Sequence, residues 1–165
     1  MRICITGTPG VGKTAIAQRL AKELDYPAIN EKEFAVKEGL VAAEFDVQSN
    51  ELEVPLEKLE ARLNKMLAKE KNIIAEGHML CEIKGRFDLV VVLHLDPERL
   101  EYRLEQRSYS PEKVQDNVFC EGIDYCSRQA MKNYPKSRVI EVENRKSIKE
   151  TTELIITVIK SKNAK

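Results

Sequence analysis

Short apolar runs alternate with longer amphipathic stretches along the chain. Ile3 and Ile5 lie in the first run, and residues 72–75, 89–93 and 139–142 form three more. The run at residues 89–93 (LVVVL) is rich in β-branched side chains, which is typical of a strand buried on both faces of a parallel sheet. The pattern therefore predicts strands at these four places.

The stretches between these strands have the spacing of helices. Ile16, Leu20 and Leu24 recur every four residues after the first strand, and residues 57–70 place a set of apolar side chains on one helical face. Three further helix starts are marked by a capping residue followed by proline or, three positions later, by glutamate: Asp96-Pro97, Ser110-Pro111, and Ser147 with Glu150. Strands that alternate with helices predict an α/β fold, in which helices cover both faces of a parallel sheet.

The composition fits a single domain that spans residues 1–165. Its 165 residues are within the range of about 100–200 that is typical of one domain. The 27 basic residues balance 27 acidic ones, so we predict no direct nucleic-acid binding through bulk charge. No apolar run reaches the roughly 20 residues of a membrane span, and the N-terminus does not resemble a signal peptide. We therefore expect a protein without membrane association, in the cytoplasm or the nucleus.

The four cysteines and two histidines do not indicate a zinc site. No two cysteines have the C-x-x-C spacing that such a site commonly uses. Reduced, buried thiols are the more ordinary interpretation, and the position of Cys4 in an apolar strand fits it.

The strongest motif comprises residues 7–14 (GTPGVGKT), which match G-x-x-x-x-G-K-[ST] without a mismatch. The motif follows an apolar strand and precedes a helix, which is the context of a phosphate-binding loop. Glycines allow successive backbone N–H groups to face phosphate oxygens, while Lys13 can bridge the β- and γ-phosphates and the Thr14 hydroxyl can ligate Mg²⁺. We expect ATP to be held by Gly10, Val11, Gly12, Lys13, Thr14 and Ala15.

Two polar residues, Glu76 and His78, follow the predicted strand at residues 72–75. The carboxyl ends of parallel strands border the ligand crevice. A carboxylate there can hold Mg²⁺ or orient an attacking oxygen, and a histidine can relay a proton or contact a phosphate. The alternative is that His78 is a structural hydrogen-bonding group. We predict catalytic roles for both residues, together with Lys13 and Arg107.

Three arginines recur at four-residue steps on the helix that follows Asp96: Arg99, Arg103 and Arg107. Leu100 and Leu104 occupy the opposite side, so the arginine face can point at the nucleotide cleft. Phosphoryl transfer needs such cations beyond the γ-phosphate. The alternative is a solvated face on which the arginines pair with Glu101 and Glu105.

The phosphate loop, the Glu76-Gly77-His78 turn and residues 103–117 (RLEQRSYSPEKVQDN) together resemble the adenylate kinase isoenzyme 6 family. The likeness covers nearly the whole chain, and the R-x-Y-S-x-x-K-[VI]-x-[DE]-N segment is its specific part. The resemblance implies a five-stranded parallel sheet, an arm for a nucleoside monophosphate at about residues 30–54, and a short lid at about residues 107–117. It also implies the reaction ATP + AMP ⇌ 2 ADP, a slow ATPase activity, and a role in small ribosomal subunit maturation through a small-subunit ribosomal protein.

The resemblance also implies individual roles. Arg107 corresponds to a lid arginine on ATP, and Arg103 to an arginine near the adenine, beside which Lys146 lies. Glu76 corresponds to the acidic residue after the third strand, where it would share Mg²⁺ with the threonine of the loop. His78 corresponds to the histidine two positions further on.

Several positions depart from the family's pattern. Val36 stands where some members carry arginine on the arm, Ser108 where glycine usually follows the lid arginine, and His94 where many members have arginine. Residues 31–54 contain seven carboxylates, two lysines and no arginine. We therefore expect weak AMP binding and slow phosphoryl transfer, because a dianionic phosphate is best gripped by arginine.

Three functions follow from these features. The first is a monomeric adenylate kinase that binds ATP, AMP and ADP. The second is an assembly-factor ATPase, whose nucleotide cycle releases it from a ribosomal partner and whose kinase activity is incidental. The third is a kinase of another small metabolite, because phosphate loops of this kind serve many acceptors.

Overall fold

The computed structural model describes residues 1–41, 54–144 and 147–163, except for the side chain of Asn163. In this part of the chain the strands are β1 (Arg2–Thr6), β2 (Ala28–Asn30), β3 (Ile73–Glu76), β4 (Leu89–His94) and β5 (Val139–Glu143). The helices are α1 (Lys13–Leu24), α2 (Glu31–Lys37), α3 (Leu56–Leu67), α4 (Pro97–Gln106), α5 (Pro111–Gly122), α6 (Tyr125–Asn133) and α7 (Ile148–Asn163). Short 3₁₀ turns occur at Met79–Cys81 and Lys136–Arg138.

The strands form one parallel sheet in the order β2-β3-β1-β4-β5. β1 is central, with Ile5 opposite Glu76 of β3 and Val91 of β4. The phosphate loop leaves the carboxyl end of β1, so the residues at the ends of β3 and β4 lie on the same edge of the sheet. The predicted α/β fold with a five-stranded parallel sheet is confirmed.

Alternate strand positions build two hydrophobic cores, one on each face of the sheet. Ile3 and Ile5 belong to the core that contains side chains of α1 and α7, whereas Cys4 belongs to the core that contains side chains of α3 and α6. All three residues are fully buried. The prediction that helices cover both faces is therefore confirmed.

The predicted helix starts are present in the structure. Asp96 and Ser110 cap α4 and α5, because each side chain accepts a hydrogen bond from the backbone N–H three residues later. Ser147 does the same for α7, with 3.1 Å between its Oγ and the backbone nitrogen of Glu150. Each cap satisfies an N–H group that has no partner within its helix.

The hydrophobic pattern does not indicate β2, α2 or α6. These elements have three, seven and nine residues, which is too short for a clear periodic stripe. The predicted helix at residues 57–70 is wrong at its end, since α3 stops at Leu67. Leu67 is the last of its side chains in the core, and the exposed Lys69 and Glu70 offer no apolar surface that would continue the helix.

Two predicted features fall partly or wholly outside the described structure. Residues 42–53 of the predicted arm and Lys146 are not among the described residues. The predicted lid comprises the turn after α4 and the first half of α5. Within the described ranges, no helix combines the length and the apolar character that crossing a membrane requires.

Candidate active site

The phosphate loop has a backbone conformation that requires glycine. Gly7, Gly10 and Gly12 have φ angles of 140°, 97° and 108°, which residues with a side chain rarely adopt. A Cβ atom at Gly12 would also lie 2.7 Å from Nδ2 of Asn144. This conformation allows successive backbone N–H groups to converge on an anion.

Asn144 fastens the loop to the C-terminal helix. Its Nδ2 donates to the carbonyl oxygen of Val11 at 3.0 Å, and its Oδ1 accepts from the Thr151 hydroxyl of α7 at 3.1 Å. Asn144 is buried, with 4% exposure. Because both ends of its amide are satisfied, the side chain holds the loop in one position.

Lys13 begins α1 and turns its side chain back onto the loop. Its Nζ donates to the carbonyl oxygens of Gly7 at 2.8 Å and Thr8 at 3.0 Å. Burial lowers the pKa of Lys13, while the nearby carboxylates of Glu31 and Glu76 act in the opposite direction. The loop therefore already contains the cation that a bound phosphate would need.

Thr14 and Glu76 form the candidate magnesium site. The Thr14 hydroxyl donates to Oε1 of Glu76 at 3.0 Å, and Nδ2 of Asn30 donates to the same oxygen at 2.5 Å. Glu76 is 4% exposed and ends β3 beside the loop. Mg²⁺ binds one or two protein oxygens together with water and phosphate, so this hydroxyl and carboxylate fit the ion. Among the described residues, no cluster of three or more His, Cys, Asp or Glu could hold a metal by itself.

Glu31 orients His78, a role that the sequence pattern does not reveal. Oε1 of Glu31 accepts from the backbone N–H groups of His78 at 2.9 Å and Met79 at 3.2 Å, and it lies 3.1 Å from Nδ1 of His78. The carboxylate packs against Gly77, where any Cβ atom would overlap it. The His78 side chain is therefore fixed at one nitrogen, yet it remains 37% exposed. The structural hydrogen bond that we considered as the alternative for His78 is present, and it leaves room for a catalytic role.

Of the three arginines that follow Asp96, Arg103 contacts the phosphate loop. Its Nη1 donates to the carbonyl oxygen of Gly10 at 3.4 Å, while the fully buried Leu100 and Leu104 of α4 pack beside the same glycine. Arg99 is exposed. Partial burial lowers the pKa of Arg103, and the two neighbouring arginines of the helix act in the same direction. Arg103 is therefore a contact of the loop and not a member of a fully solvated face.

Two cavities reach the phosphate loop. The Gly12 cavity, of about 630 Å³, is lined by Gly12, Ala15, Tyr102, Arg103, Gln106, Arg107, Asn144, Ser147 and Ile148. The Thr8 cavity, of about 350 Å³, is lined by Thr8, Pro9, Lys32, His78, Glu82, Tyr109, Lys113, Asp116, Asn117, Cys120, Tyr125 and Cys126. Both volumes are within the range of roughly 300–1,000 Å³ that small-molecule sites occupy.

The structure brings most of the predicted site residues to one edge of the sheet. The loop residues contact Glu76 and Arg103, and Arg107 lines the Gly12 cavity from the end of α4. His78 lines the other cavity. The predicted site residue Lys146 lies outside the described residues, so its position beside the adenine stays a prediction.

Four further side chains that the sequence interpretation missed belong to the site: Asn30, Glu31, Glu121 and Asn144. Asn30 ends β2 and Glu31 follows it, so only the recognition of that short strand could have indicated them. Glu121 reaches the loop from the end of α5, and Asn144 reaches it from the position directly after β5. No local motif marks either residue.

Comparison with known proteins places this geometry in a family. A family model described as an AAA domain matches residues 3–124. A "Putative adenylate kinase" from Pyrococcus abyssi is 40% identical over 165 residues, which covers 98% of this chain and 85% of that protein. An "Adenylate kinase isoenzyme 6 homolog" from Caenorhabditis elegans is 32% identical over 153 residues, which covers 92% of this chain and 81% of that protein.

The fold recurs in a solved structure of shikimate kinase from Bacteroides thetaiotaomicron. The TM-score is 0.69 at 17% identity, and the alignment covers 97% of this chain and 98% of that chain. This likeness shows the fold, a parallel sheet with a phosphate loop. The two relatives at 40% and 32% identity add the class of activity, a phosphotransferase with ATP as the phosphate donor. The similarity over nearly the whole chain makes the assignment more specific. The chain belongs to the adenylate kinase family.

Proposed function

We propose that the protein is an adenylate kinase of the isoenzyme 6 type, which transfers the γ-phosphoryl group of ATP to AMP and forms two ADP. The observation that carries this proposal is that two cavities reach the phosphate loop, one at Gly12 and one at Thr8. A reaction between two nucleotides needs two sites that meet at the transferred phosphate. The similarity to the isoenzyme 6 homolog supports the subtype.

In this proposal the Gly12 cavity takes the adenosine of ATP. Arg103 and Arg107 line this cavity beside the loop that holds the triphosphate. Lys13 already donates to two loop carbonyls and can exchange them for phosphate oxygens with little movement. Mg²⁺ held by Thr14 and Glu76 would neutralise part of the phosphate charge.

The Thr8 cavity takes the acceptor nucleotide. Its walls include Lys32 from α2, Lys113 from α5 and the imidazole of His78, together with the acidic Glu82 and Asp116. The phosphate of AMP would therefore meet ammonium groups in place of a bidentate guanidinium. Such contacts are weaker and less directional, so we expect AMP binding to limit turnover.

The acidic arm favours a second function, that of an ATPase that acts as an assembly factor. Seven carboxylates and two lysines in residues 31–54 disfavour a small dianion but suit a basic protein surface. A small-subunit ribosomal protein is a partner of this kind. In that case ATP hydrolysis would control release from the partner, and the transfer to AMP would be incidental.

The decisive experiment is coupled ADP production with a panel of nucleoside monophosphates, with shikimate and gluconate as further acceptors, in the presence and absence of the ribosomal protein. We expect the rate to depend on AMP more than on any other acceptor. ATP consumption that is independent of every acceptor but increases with the ribosomal protein would favour the assembly-factor ATPase over the adenylate kinase. Phosphorylation of a non-nucleotide acceptor alone would contradict both.

A further inference from the structure

A buried carboxylate anchors the phosphate loop from α5. Glu121 is 6% exposed, and its Oε2 accepts from the Thr8 hydroxyl at 2.5 Å. Its Oε1 accepts from the backbone N–H of Leu95 at 3.0 Å. Thr8 is 1% exposed and also offers its carbonyl oxygen to Lys13 at 3.0 Å. The carboxylate therefore fixes the loop at the residue that helps to place its catalytic cation.

The charge of Glu121 opposes the function of a loop that binds an anion. A buried negative charge repels a phosphate strongly, because little water screens it. His94, at the end of β4, lies against this charge, with 3.0 Å between its Nδ1 and Oε1 of Glu121. Nε2 of His94 is 2.8 Å from the hydroxyl of Ser127 on α6. Both imidazole nitrogens are thus held, and the ring cannot turn away from the carboxylate.

The surroundings of His94 favour its protonated form. The hydrogen bond with Glu121 raises the pKa of His94 above its ordinary value of 6.5, against the effect of burial. Glu141 on β5 and Asp124 between α5 and α6 add to this attraction, and Glu143 stands opposite His94 in the sheet register. Oε1 of Glu141 is 3.8 Å from Nε2. These groups on the packed elements are all acidic.

We propose that His94 is the counter-ion of Glu121 and thereby a positioning residue for the phosphate loop, so that ATP binding weakens when His94 loses its proton. With His94 protonated, the pair of His94 and Glu121 is neutral, so the carboxylate that binds the Thr8 hydroxyl adds no net charge to the site. With His94 neutral, Glu121 leaves an uncompensated negative charge one hydrogen bond away from the loop. This inference rests on the proposed binding of ATP at the loop. Neither side chain needs to touch the nucleotide.

The direction of the pH effect follows from the pKa of His94. Since the folded protein raises this pKa, the charge compensation is present below the ordinary pKa of 6.5 and is lost as the pH rises through the higher pKa of the folded protein. Burial acts to raise the pKa of Glu121, but the hydrogen bonds from His94, Thr8 and Leu95 together outweigh it and lower this pKa overall. Glu121 therefore stays ionised throughout this range, and only His94 changes charge in the pair.

The test compares ATP affinity in the wild type and in His94→Arg by calorimetry, from about pH 6 to about pH 9, which brackets a raised histidine pKa. Arginine keeps its charge at every pH, so the ratio of the two affinities cancels the titration of ATP itself. We expect similar affinities at the acidic end and wild-type binding that is about fivefold or more weaker at the alkaline end. His94→Gln should bind ATP more weakly than His94→Arg at every pH, and the ratio of these two affinities should not change with pH, because neither side chain titrates.

Two further readouts separate charge compensation from a merely structural role. Glu121→Gln removes the partner that raises the pKa of His94, so the pH dependence of ATP affinity should move to lower pH, even where His94→Arg folds poorly. Since the chain has only two histidines, the His94 resonance can be assigned in NMR spectra by its absence from His94→Arg. By linkage, ATP should raise the pKa of His94.

The inference is overturned if ATP leaves the pKa of His94 unchanged, or if the wild type and His94→Arg share one pH profile. Either result leaves the kinase assignment intact. A protein that shows the expected pH profile but phosphorylates no acceptor would contradict the proposed function and support the inference made here. The two conclusions can therefore fail separately.

Discussion

The Gly12 cavity and the Thr8 cavity share the phosphate loop but differ in the cations that line them. Arg103 of α4 and Arg107, directly after this helix, line the Gly12 cavity. Leu100 and Leu104 of α4 are fully buried. Lysines, a histidine and two acidic side chains line the Thr8 cavity. The arm that begins beside it, residues 31–54, contains no arginine.

The difference indicates that the two substrates are bound with unequal affinity. The guanidinium of Arg103 already contacts the loop before the ligand arrives, so little conformational entropy is lost when it binds a phosphate. Ammonium groups on flexible stems beside carboxylates bind a dianion less strongly. The donor nucleotide should therefore bind tightly and the acceptor weakly.

The largest effect should follow from Lys13→Ala, which removes the cation of the phosphate loop that both cavities reach. Without it, the charge on the moving phosphoryl group loses stabilisation that backbone N–H groups cannot replace, and turnover should fall by about 10³ or more. Steady-state kinetics of ADP formation measure this loss. Lys22→Ala, on an exposed position of the same helix, is the matched control. Near-normal turnover in Lys13→Ala would refute the assignment of the loop.

Arg107→Ala should lower turnover less than Lys13→Ala does, since Arg107 lines the Gly12 cavity and not the Thr8 cavity. We expect the rate to fall by roughly 10²–10³ with a smaller loss of ADP affinity, because the lid arginine should meet the phosphates mainly after the lid closes. Single-turnover kinetics with an ADP titration separate the two effects. Arg107→Lys keeps the positive charge but lacks the planar guanidinium that can donate two parallel hydrogen bonds, so it should recover only part of the rate. A variant that lost ADP affinity but kept its rate would make Arg107 a ground-state anchor.

Val36→Arg should reduce the difference in affinity between the two nucleotides, because it should strengthen AMP binding. Val36 is 56% exposed on α2, so an arginine fits there without disturbing the core. One bidentate contact to the acceptor phosphate should tighten AMP binding by about tenfold. Calorimetry with AMP measures the change, and Val36→Gln controls for the longer side chain. AMP affinity that is equal in both variants would show that α2 does not face the acceptor.

The smallest effect concerns the turn between α4 and α5, where the predicted lid begins. Ser108 has a φ of 56°, a left-handed conformation that glycine adopts without strain. Ser108→Gly should raise the free energy of unfolding by about 0.5–1 kcal/mol, whereas Ser108→Ala should give no gain. Urea denaturation measures both. A stability gain with unchanged ATP affinity would show that the turn serves the fold, while a change in affinity would make it a hinge of the Gly12 cavity.

The sequence predicted the parts of the site that are local or that lie at strand ends. Lys13 and Thr14 belong to one contiguous motif, and Glu76 follows a strand whose apolar pattern is clear. The structure joins Thr14 to Glu76 at 3.0 Å, as the common edge of a parallel sheet requires.

The missed residues reach the site across long sequence separations. Glu31 contacts His78 across 47 positions, Glu121 contacts Thr8 across 113, and Asn144 contacts Val11 across 133. Such contacts depend on helix packing and strand order, which a hydrophobic pattern does not encode. Each residue is polar and buried, an arrangement that becomes evident only once its partner is known.

The donor nucleotide should bind this kinase strongly and the acceptor nucleotide weakly. A calorimetric titration of AMP into the protein saturated with a non-hydrolysable ATP analogue, beside a titration of the analogue alone, measures both affinities. We predict that AMP binds more weakly than the analogue by about an order of magnitude or more. AMP affinity in the micromolar range, equal to that of the analogue and accompanied by fast turnover, would contradict it.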